Sequence, residues 1–301
     1  MEIDQVIENF RKLDLSKYPV KEIQNLFNHI GPIGAVVVNF HKGKSVMRAR
    51  PNQGNERFTK VSDLSFKPQE LNKTYQRAST PNRTMFYATS VPDKIEPGEL
   101  DNMRIIGVTE TIPILSDKTK SGYQKISFGR WVVQEDINLM AIVHNESYYN
   151  ESNYTRELVN AYKEFINQYR KEVIEKSLKF QDFMASEFAK KTINADYDYI
   201  ISAMFAEHIT SKGLDGIFYP SVRTAGKGFN IAITPEARKK LKLYVAGECS
   251  IYKLKDQVVI GNDAIVELDG NQSEFELVDL PNHQNIYLEK LGIKSIDELK
   301  A

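Results

Sequence analysis

Between residues 213 and 235 the chain reads GLDGIFYPSVRTAGKGFNIAITP. Ser221, Arg223, Gly226, Lys227 and Gly228 bring a small hydroxyl, a planar cation, a second cation and two glycines close together. Exposed backbone N–H groups beside an arginine fork suit a phosphate or a sugar. The same composition also describes a solvated, glycine-rich hairpin loop. Other stretches carry chemistry too. Arg48 and Arg50 alternate in SVMRAR, which places both guanidinium groups on one face of a strand. There they can hold a pyrophosphate bidentately, or simply edge the strand in water. Tyr87, in TMFYATS, can stack on a flat ring or sit in the core with its hydroxyl tied off. Glu110 falls between Val108 and Ile112 in a run that otherwise favours burial. A carboxylate there needs a partner or a chemical task, unless it lies on the polar face of a strand. Arg77 reads, by itself, as a solvated loop residue.

Several reaction classes lack their residues. The histidines (His29, His41, His144, His208 and His283) are scattered, and none pairs at helical ligand spacing, so no metal site is expected. A single cysteine, Cys249, excludes an internal disulfide framework and a thiolate cluster. There is no phosphate-binding P-loop, no G-x-G-x-x-G opening a helix and no G-x-S-x-G elbow. Lys+Arg and Asp+Glu are 40 each, giving formal net charge +0. No global field therefore draws the chain to nucleic acid or to a membrane. The N-terminal stretch lacks the apolar core of a signal peptide, and the longest apolar runs are strand-sized. A soluble, cytoplasmic protein is expected.

Hydrophobic residues make up 41% of the 301 positions, enough for a sizeable core in one large domain or two modest ones. Helical spacing predicts helices over 3–13 and 20–30, an N-terminal extension packed on a core domain. Strands are predicted over 34–40, 45–50 and 84–90, and over 104–114 as strand or strand-plus-bend. Residues 51–81 are polar and irregular; they line a functional surface or contain short elements of their own. Two strands are expected within 125–143, around Gln134-Glu135-Asp136. Helical spacing then runs over 146–178, 180–191 and 197–212, with Asp196 as N-cap and Gly213 as C-cap. Strands follow at 216–219 and 229–234, then a helical turn at 235–241. Further strands are expected at 243–245, 248–254, 257–260 and 275–278, and a short helix at 293–299. Helices grouped between runs of strands make this an α+β order.

Taken together these segments resemble the RES-domain family, named for an Arg, a Glu and a Ser. GLDGIFYPSVR followed by GFNIAI resembles its Gly-x-Asp-Gly-φ-x-Tyr-x-Ser segment and the Asn-φ-Ala strand after it. The preceding FMASEFAK and DYIISAMFAEHI resemble the family's approach to that segment. VMRAR resembles the arginine strand, RTMFYATS the tyrosine strand and IIGVTE the glutamate segment, so the likeness runs from about residue 36 to about 254. QRASTP stands where the family has Gly-Arg-x-Asn-Pro-Pro.

The resemblance implies an ADP-ribosyltransferase-like mixed β core with flanking helices: an N-terminal helical extension (1–33), a RES domain (34–262) and a C-terminal extension (263–301). It implies an enzyme that cleaves the nicotinamide–ribose bond of NAD+, by phosphorolysis or hydrolysis, in bacterial toxins paired with an antitoxin. NAD+ would then be the substrate, inorganic phosphate a possible co-substrate, and no cofactor is implied. Carried over by motif, Arg48 holds phosphates or ribose and Tyr87 stacks near the nicotinamide ribose. Glu110 acts at the scissile bond, and Ser221 anchors the nicotinamide side. Arg77, Arg50, Arg223 and Asn230 complete the substrate contacts. A Pro/Gly loop between Tyr87 and Glu110 makes Glu96 and Glu99 rival carboxylates. Two alternatives share this frame: ADP-ribosyl transfer to a macromolecule, and a non-catalytic nucleotide-binding or interaction module.

Overall fold

Apolar side chains recurring every three or four residues build the helices, and the computed structural model shows what each stripe meets. It describes residues 2–54, 56–92, 94, 100–143 and 148–299. The helices are α1 (Ile3–Lys12), α2 (Val20–Ile30), α3 (Met103–Thr111), α4 (Asn153–Ile166), α5 (Lys171–Phe188), α6 (Ile200–Ser211), α7 (Pro235–Arg238) and α8 (Gln284–Lys290). α1 buries Ile3, Val6, Ile7 and Phe10, and α2 buries Ile23, Leu26, Phe27 and Ile30. The Phe10 ring lies 5.0 Å from Phe27 and 5.2 Å from Phe183 of α5. Both helices thereby join the apolar cluster of α5 and α6. Burying each such side chain contributes about 1.5–3 kcal/mol, which outweighs the surface ion pairs along these helices.

The strands are β1 (Val37–Phe40), β2 (Ser45–Pro51), β3 (Phe86–Ser90), β4 (Gly122–Val133), β5 (Ile137–Ala141), β6 (Gly216–Pro220), β7 (Phe229–Ile233), β8 (Leu241–Leu254), β9 (Gln257–Glu267) and β10 (Val278–Asp279). They form one ten-stranded sheet in the order β1-β5-β6-β7-β3-β2-β4-β8-β9-β10. β5 and β6 run parallel, and the other neighbouring pairs are antiparallel. A parallel pair needs a long crossover, and the segment carrying α4, α5 and α6 supplies it. Residues of β6 and β7 are buried throughout, because the sheet centre is covered on both faces. One face carries Tyr219 and Ala232 against α5 and α6. The other carries Phe86, Phe218, Phe229 and Trp131 against α4. The fold is α+β.

The structure corrects several element boundaries. Residues 104–114 are not a strand: α3 occupies Met103–Thr111, and the Asn102 side chain caps it by accepting from the Arg104 N–H. RIIGVTET is rich in β-branched residues but lacks strict alternation. Its buried Val108 packs with Ala49 and Phe128 of the sheet, Gly107 lies against Ala49 and Thr89, and Ile106 meets the loop at Gly228. The helical stretch after residue 146 divides at 167–170 into α4 and α5, and α5 runs on through 180. Asp196 does not cap α6, because its carboxylate accepts from the Tyr18 hydroxyl and the Tyr75 N–H. β8 is one strand of 14 residues where two were expected. The C-terminal helix lies earlier, as α8, and residues 296–299 form only a 3-10 turn.

One feature of the sheet positions the site. β2 and β3 pair at Met47↔Thr89. Beyond it β2 follows β4 while β3 follows β7, so the two strands part. α3 lies over the parted strands and packs against β2 and β3.

Candidate active site

The parted strands leave a cavity of about 430 Å3, lined by β2, β3, α3 and the turn at Gln76–Arg77, with Tyr199, Tyr219 and Asn230. Strand register explains its floor. Tyr219 pairs with Asn230 across β6 and β7, and Asn230 pairs with Thr89 across β7 and β3. Directly opposed residues share a sheet face, so these three side chains form one row.

Glu110, in the last turn of α3, hangs over that row. Its Oε1 accepts from the Ser221 hydroxyl at 2.6 Å, from Asn230 Nδ2 at 3.0 Å and, more weakly, from the Arg223 backbone N–H at 3.5 Å. Oε2 has no protein donor among the described residues. The carboxylate is thus oriented through one oxygen, and Glu110 is among the residues that line the cavity. Ser221 is fully buried and is not among the lining residues. Its hydroxyl also accepts from the Thr224 N–H at 3.2 Å, so it holds Glu110 rather than facing the cavity. Removing it in Ser221→Ala deletes a charge-assisted hydrogen bond of about 1.5–3 kcal/mol. The expected result is a fall in kcat of about ten- to a hundredfold with KM little changed, measured by steady-state kinetics.

Arg48 fills the gap where the β2–β3 ladder stops. Its Nη1 donates to the Tyr87 carbonyl at 2.7 Å, and its guanidinium carbon lies 5.3 Å from the Phe86 ring centre. Its Nε is buried with no partner. Burial, then the neighbouring Arg50, lowers the Arg48 pKa to about 10, so the group stays cationic at neutral pH. Arg50 stacks over Phe58 at 4.3 Å and donates to the Asp63 carbonyl at 2.8 Å. Tyr87 combines both sequence readings. Its ring lines the cavity, while its hydroxyl accepts from the Ala78 N–H at 3.0 Å and shares a 2.9 Å hydrogen bond with Ser79. Burial pushes its phenol up to about 12, so it stays protonated at neutral pH and serves to shape the pocket and anchor the turn.

Arg77 lines the cavity but is occupied: it donates to the carbonyls of Phe188 and Lys190 at the end of α5 and stacks 5.2 Å over Tyr199. A cation there complements the negative end of the helix. Arg223 is exposed and outside the lining, reaching Glu110 only through its backbone. The rival carboxylates Glu96 and Glu99 lie outside the described residues, as does His144. Among the described residues, no group of three or more His, Cys, Asp or Glu could hold a metal ion, and no helix is long and apolar enough to cross a membrane.

The loop glycines serve packing. Gly226 adopts φ +78°, and a Cβ there would lie 2.7 Å from Thr155 Oγ1 and 2.8 Å from the Tyr148 Cβ. A Cβ on Gly228 would meet Ile106 Cδ1 at 2.2 Å and Cγ1 at 2.9 Å. The loop can therefore press against α3, bringing Ser221 within reach of Glu110. Gly228→Ala is expected to cost about 1–3 kcal/mol by overpacking, read as a lower midpoint in denaturant.

The model of the RES domain family matches residues 144–250. This chain contains a RES domain. No curated protein matches the chain. The RES match spans α4 through most of β8, and so includes Ser221 and Asn230. Arg48, Tyr87 and Glu110 lie before it and reach the same cavity through β2, β3 and α3. Sequence reasoning missed Tyr219 and Tyr199. Tyr219 carries a signal, since alternation along IFYPS and the hairpin register put it beside Asn230. Tyr199, in the 3-10 turn before α6, carries none.

The arrangement suits one kind of ligand. Arginines at one side offer a site for anionic oxygens, tyrosine rings supply flat walls, and a fixed carboxylate faces any positive charge that develops between them.

Proposed function

We propose that the RES cavity binds NAD+ and cleaves its nicotinamide–ribose bond. The observation that carries this reading is the Glu110 carboxylate. One of its oxygens is held by Ser221 and Asn230, and the residue lines a pocket together with Arg48 and Tyr87. A volume of about 430 Å3 falls in the usual range for small-molecule sites, about 300–1,000 Å3.

Arg48 and Arg50 hold the pyrophosphate or ribose oxygens, and the Tyr87 ring lies against the nicotinamide ribose. The C–N bond then breaks with its electron pair passing to the ring nitrogen. Nicotinamide leaves neutral, and the ribose carbon takes on oxocarbenium character. Because the leaving group already carries the positive charge, no general acid is required. Glu110 stabilises the developing cation or holds the ribose hydroxyls. Attack by a phosphate oxygen gives ADP-ribose-1″-phosphate. Attack by water gives ADP-ribose and a proton.

Incubating the purified protein with NAD+, with and without inorganic phosphate, and separating the products tests this. Nicotinamide with the phosphorylated sugar indicates phosphorolysis, and nicotinamide with ADP-ribose indicates hydrolysis. Label transferred to an added macromolecule would replace this reading with ADP-ribosyl transfer. Pairing with an antitoxin belongs to the same proposal. It is tested by whether a co-expressed partner protein suppresses nicotinamide release.

A further inference from the structure

The proposed reaction gives no task to a buried phenol that lines its cavity. Tyr219 reaches the cavity from β6 and is 4% exposed. Its ring packs 5.2 Å from that of Phe188 on α5, inclined at 50°. A buried tyrosine hydroxyl usually finds a partner. Other hydroxyls around the cavity have theirs. Tyr87 bonds the Ala78 N–H and Ser79, Thr89 donates to the Met47 and Met103 carbonyls, and Thr111 donates to the Gly107 carbonyl. Ser221, two residues along the same face as Tyr219, is spent on Glu110. The Tyr219 hydroxyl bonds no protein group among the described residues. Nor is it sealed, as the unpartnered Arg48 Nε and Trp131 Nε1 are. Its oxygen therefore keeps some access, and the space beside it is the cavity that the residue lines. Burial, then the neighbouring Tyr87, lifts the phenol well above its ordinary value of 10, so at neutral pH it is a hydrogen-bond donor.

Strand order indicates which part of a ligand this donor meets. β2, β3, β7 and β6 follow one another across the sheet. β2 brings Arg48 and Arg50 to the cavity, β3 brings Tyr87 and β6 brings Tyr219. With NAD+ in the cavity, the arginines take the pyrophosphate and the Tyr87 ring takes the ribose. The next group of the substrate is the nicotinamide ring, and the next aromatic wall in the sheet is Tyr219. Asn230 of β7 stands between, paired with Tyr219 and donating to Glu110. The two polar groups on either side of Asn230 are complementary. A carboxylate only accepts, which suits ribose hydroxyls or a developing cation. A neutral phenol donates, and the acceptor on the nicotinamide is its carboxamide oxygen.

The geometry points to Tyr219 as a further substrate-binding residue. Its hydroxyl donates to the carboxamide oxygen of the nicotinamide and so orients the leaving group, a contact that rests on the reading of this cavity as an NAD+ site.

The test titrates wild type and Tyr219→Phe with two ligands that resist cleavage: carba-NAD+, in which a methylene replaces the ribose ring oxygen, and ADP-ribose, which has no nicotinamide. Tyr219→Phe keeps the ring against Phe188, and melting curves verify that it is folded. It should bind carba-NAD+ about three- to tenfold more weakly than wild type, and ADP-ribose within about twofold. On NAD+ itself kcat/KM should fall by a similar factor. Unchanged affinity for carba-NAD+ in the folded variant, or equal losses for both ligands, overturns the contact. Unchanged affinity beside an active wild type refutes the contact and leaves the reaction standing. A loss selective for carba-NAD+, in a protein from which NAD+ is recovered intact, leaves the contact standing and refutes the reaction instead.

Discussion

Glu110→Gln is expected to slow nicotinamide release by about a hundred- to a thousandfold while leaving NAD+ binding close to wild type. The substitution keeps the shape of the side chain and removes its charge. The oxygen held by Ser221 and Asn230 can remain an amide oxygen, so the α3 contacts survive and the melting temperature should move little. What disappears is the negative charge that the proposed reaction sets against the ribose carbon, and in that reaction the charge matters only as the C–N bond breaks. The loss should therefore fall on kcat and not on KM. Steady-state release assays with a parallel binding isotherm separate the two. Equal rates in wild type and Glu110→Gln would remove Glu110 from the chemistry and return attention to Glu96 and Glu99.

Arg48→Ala is expected to have the second largest effect, and a different signature. Arg48 ties the parted strands together through the Tyr87 carbonyl, and its buried Nε has no partner. Truncating one partner of a desolvated charged contact costs about 2–5 kcal/mol, so kcat/KM should fall by about thirtyfold or more, largely through KM. Stability should fall as well, because the carbonyl loses its donor. Arg48→Lys should not rescue binding. An ammonium can reach one acceptor at a time, and the planar fork across the gap is lost. A variant whose melting temperature drops while KM is unchanged would make Arg48 a purely structural clamp.

How much of this was legible in the chain depends on the distance over which each residue finds its partners. The hairpin of β6 and β7 is local, and its strands read clearly from GIFYP and FNIAI. That a carboxylate between Val108 and Ile112 needs a partner is also legible. Which partner is not: Ser221 and Asn230 lie 111 and 120 residues away. The helix carrying Glu110 was hidden because β-branched residues dominate it, and tertiary packing over the gap overrides their preference. Gly226 and Gly228 look like a phosphate cradle in sequence. Their neighbours Thr155 and Ile106, brought up by α4 and α3, make them packing glycines. Arg77 looks solvated in sequence, yet its bonds to the end of α5 exist only once the turn and the helix meet. Charge and residue type were readable from the chain; commitment to a particular partner was not.

The most direct measurement is turnover of NAD+ labelled in the carbonyl of its nicotinamide, followed as free nicotinamide per mole of wild-type protein in phosphate buffer. Cleavage at the nicotinamide–ribose bond predicts many nicotinamide molecules released per chain, with release lost in Glu110→Gln. NAD+ that raises the melting temperature yet is recovered intact would contradict the reaction and leave a nucleotide-binding module in its place.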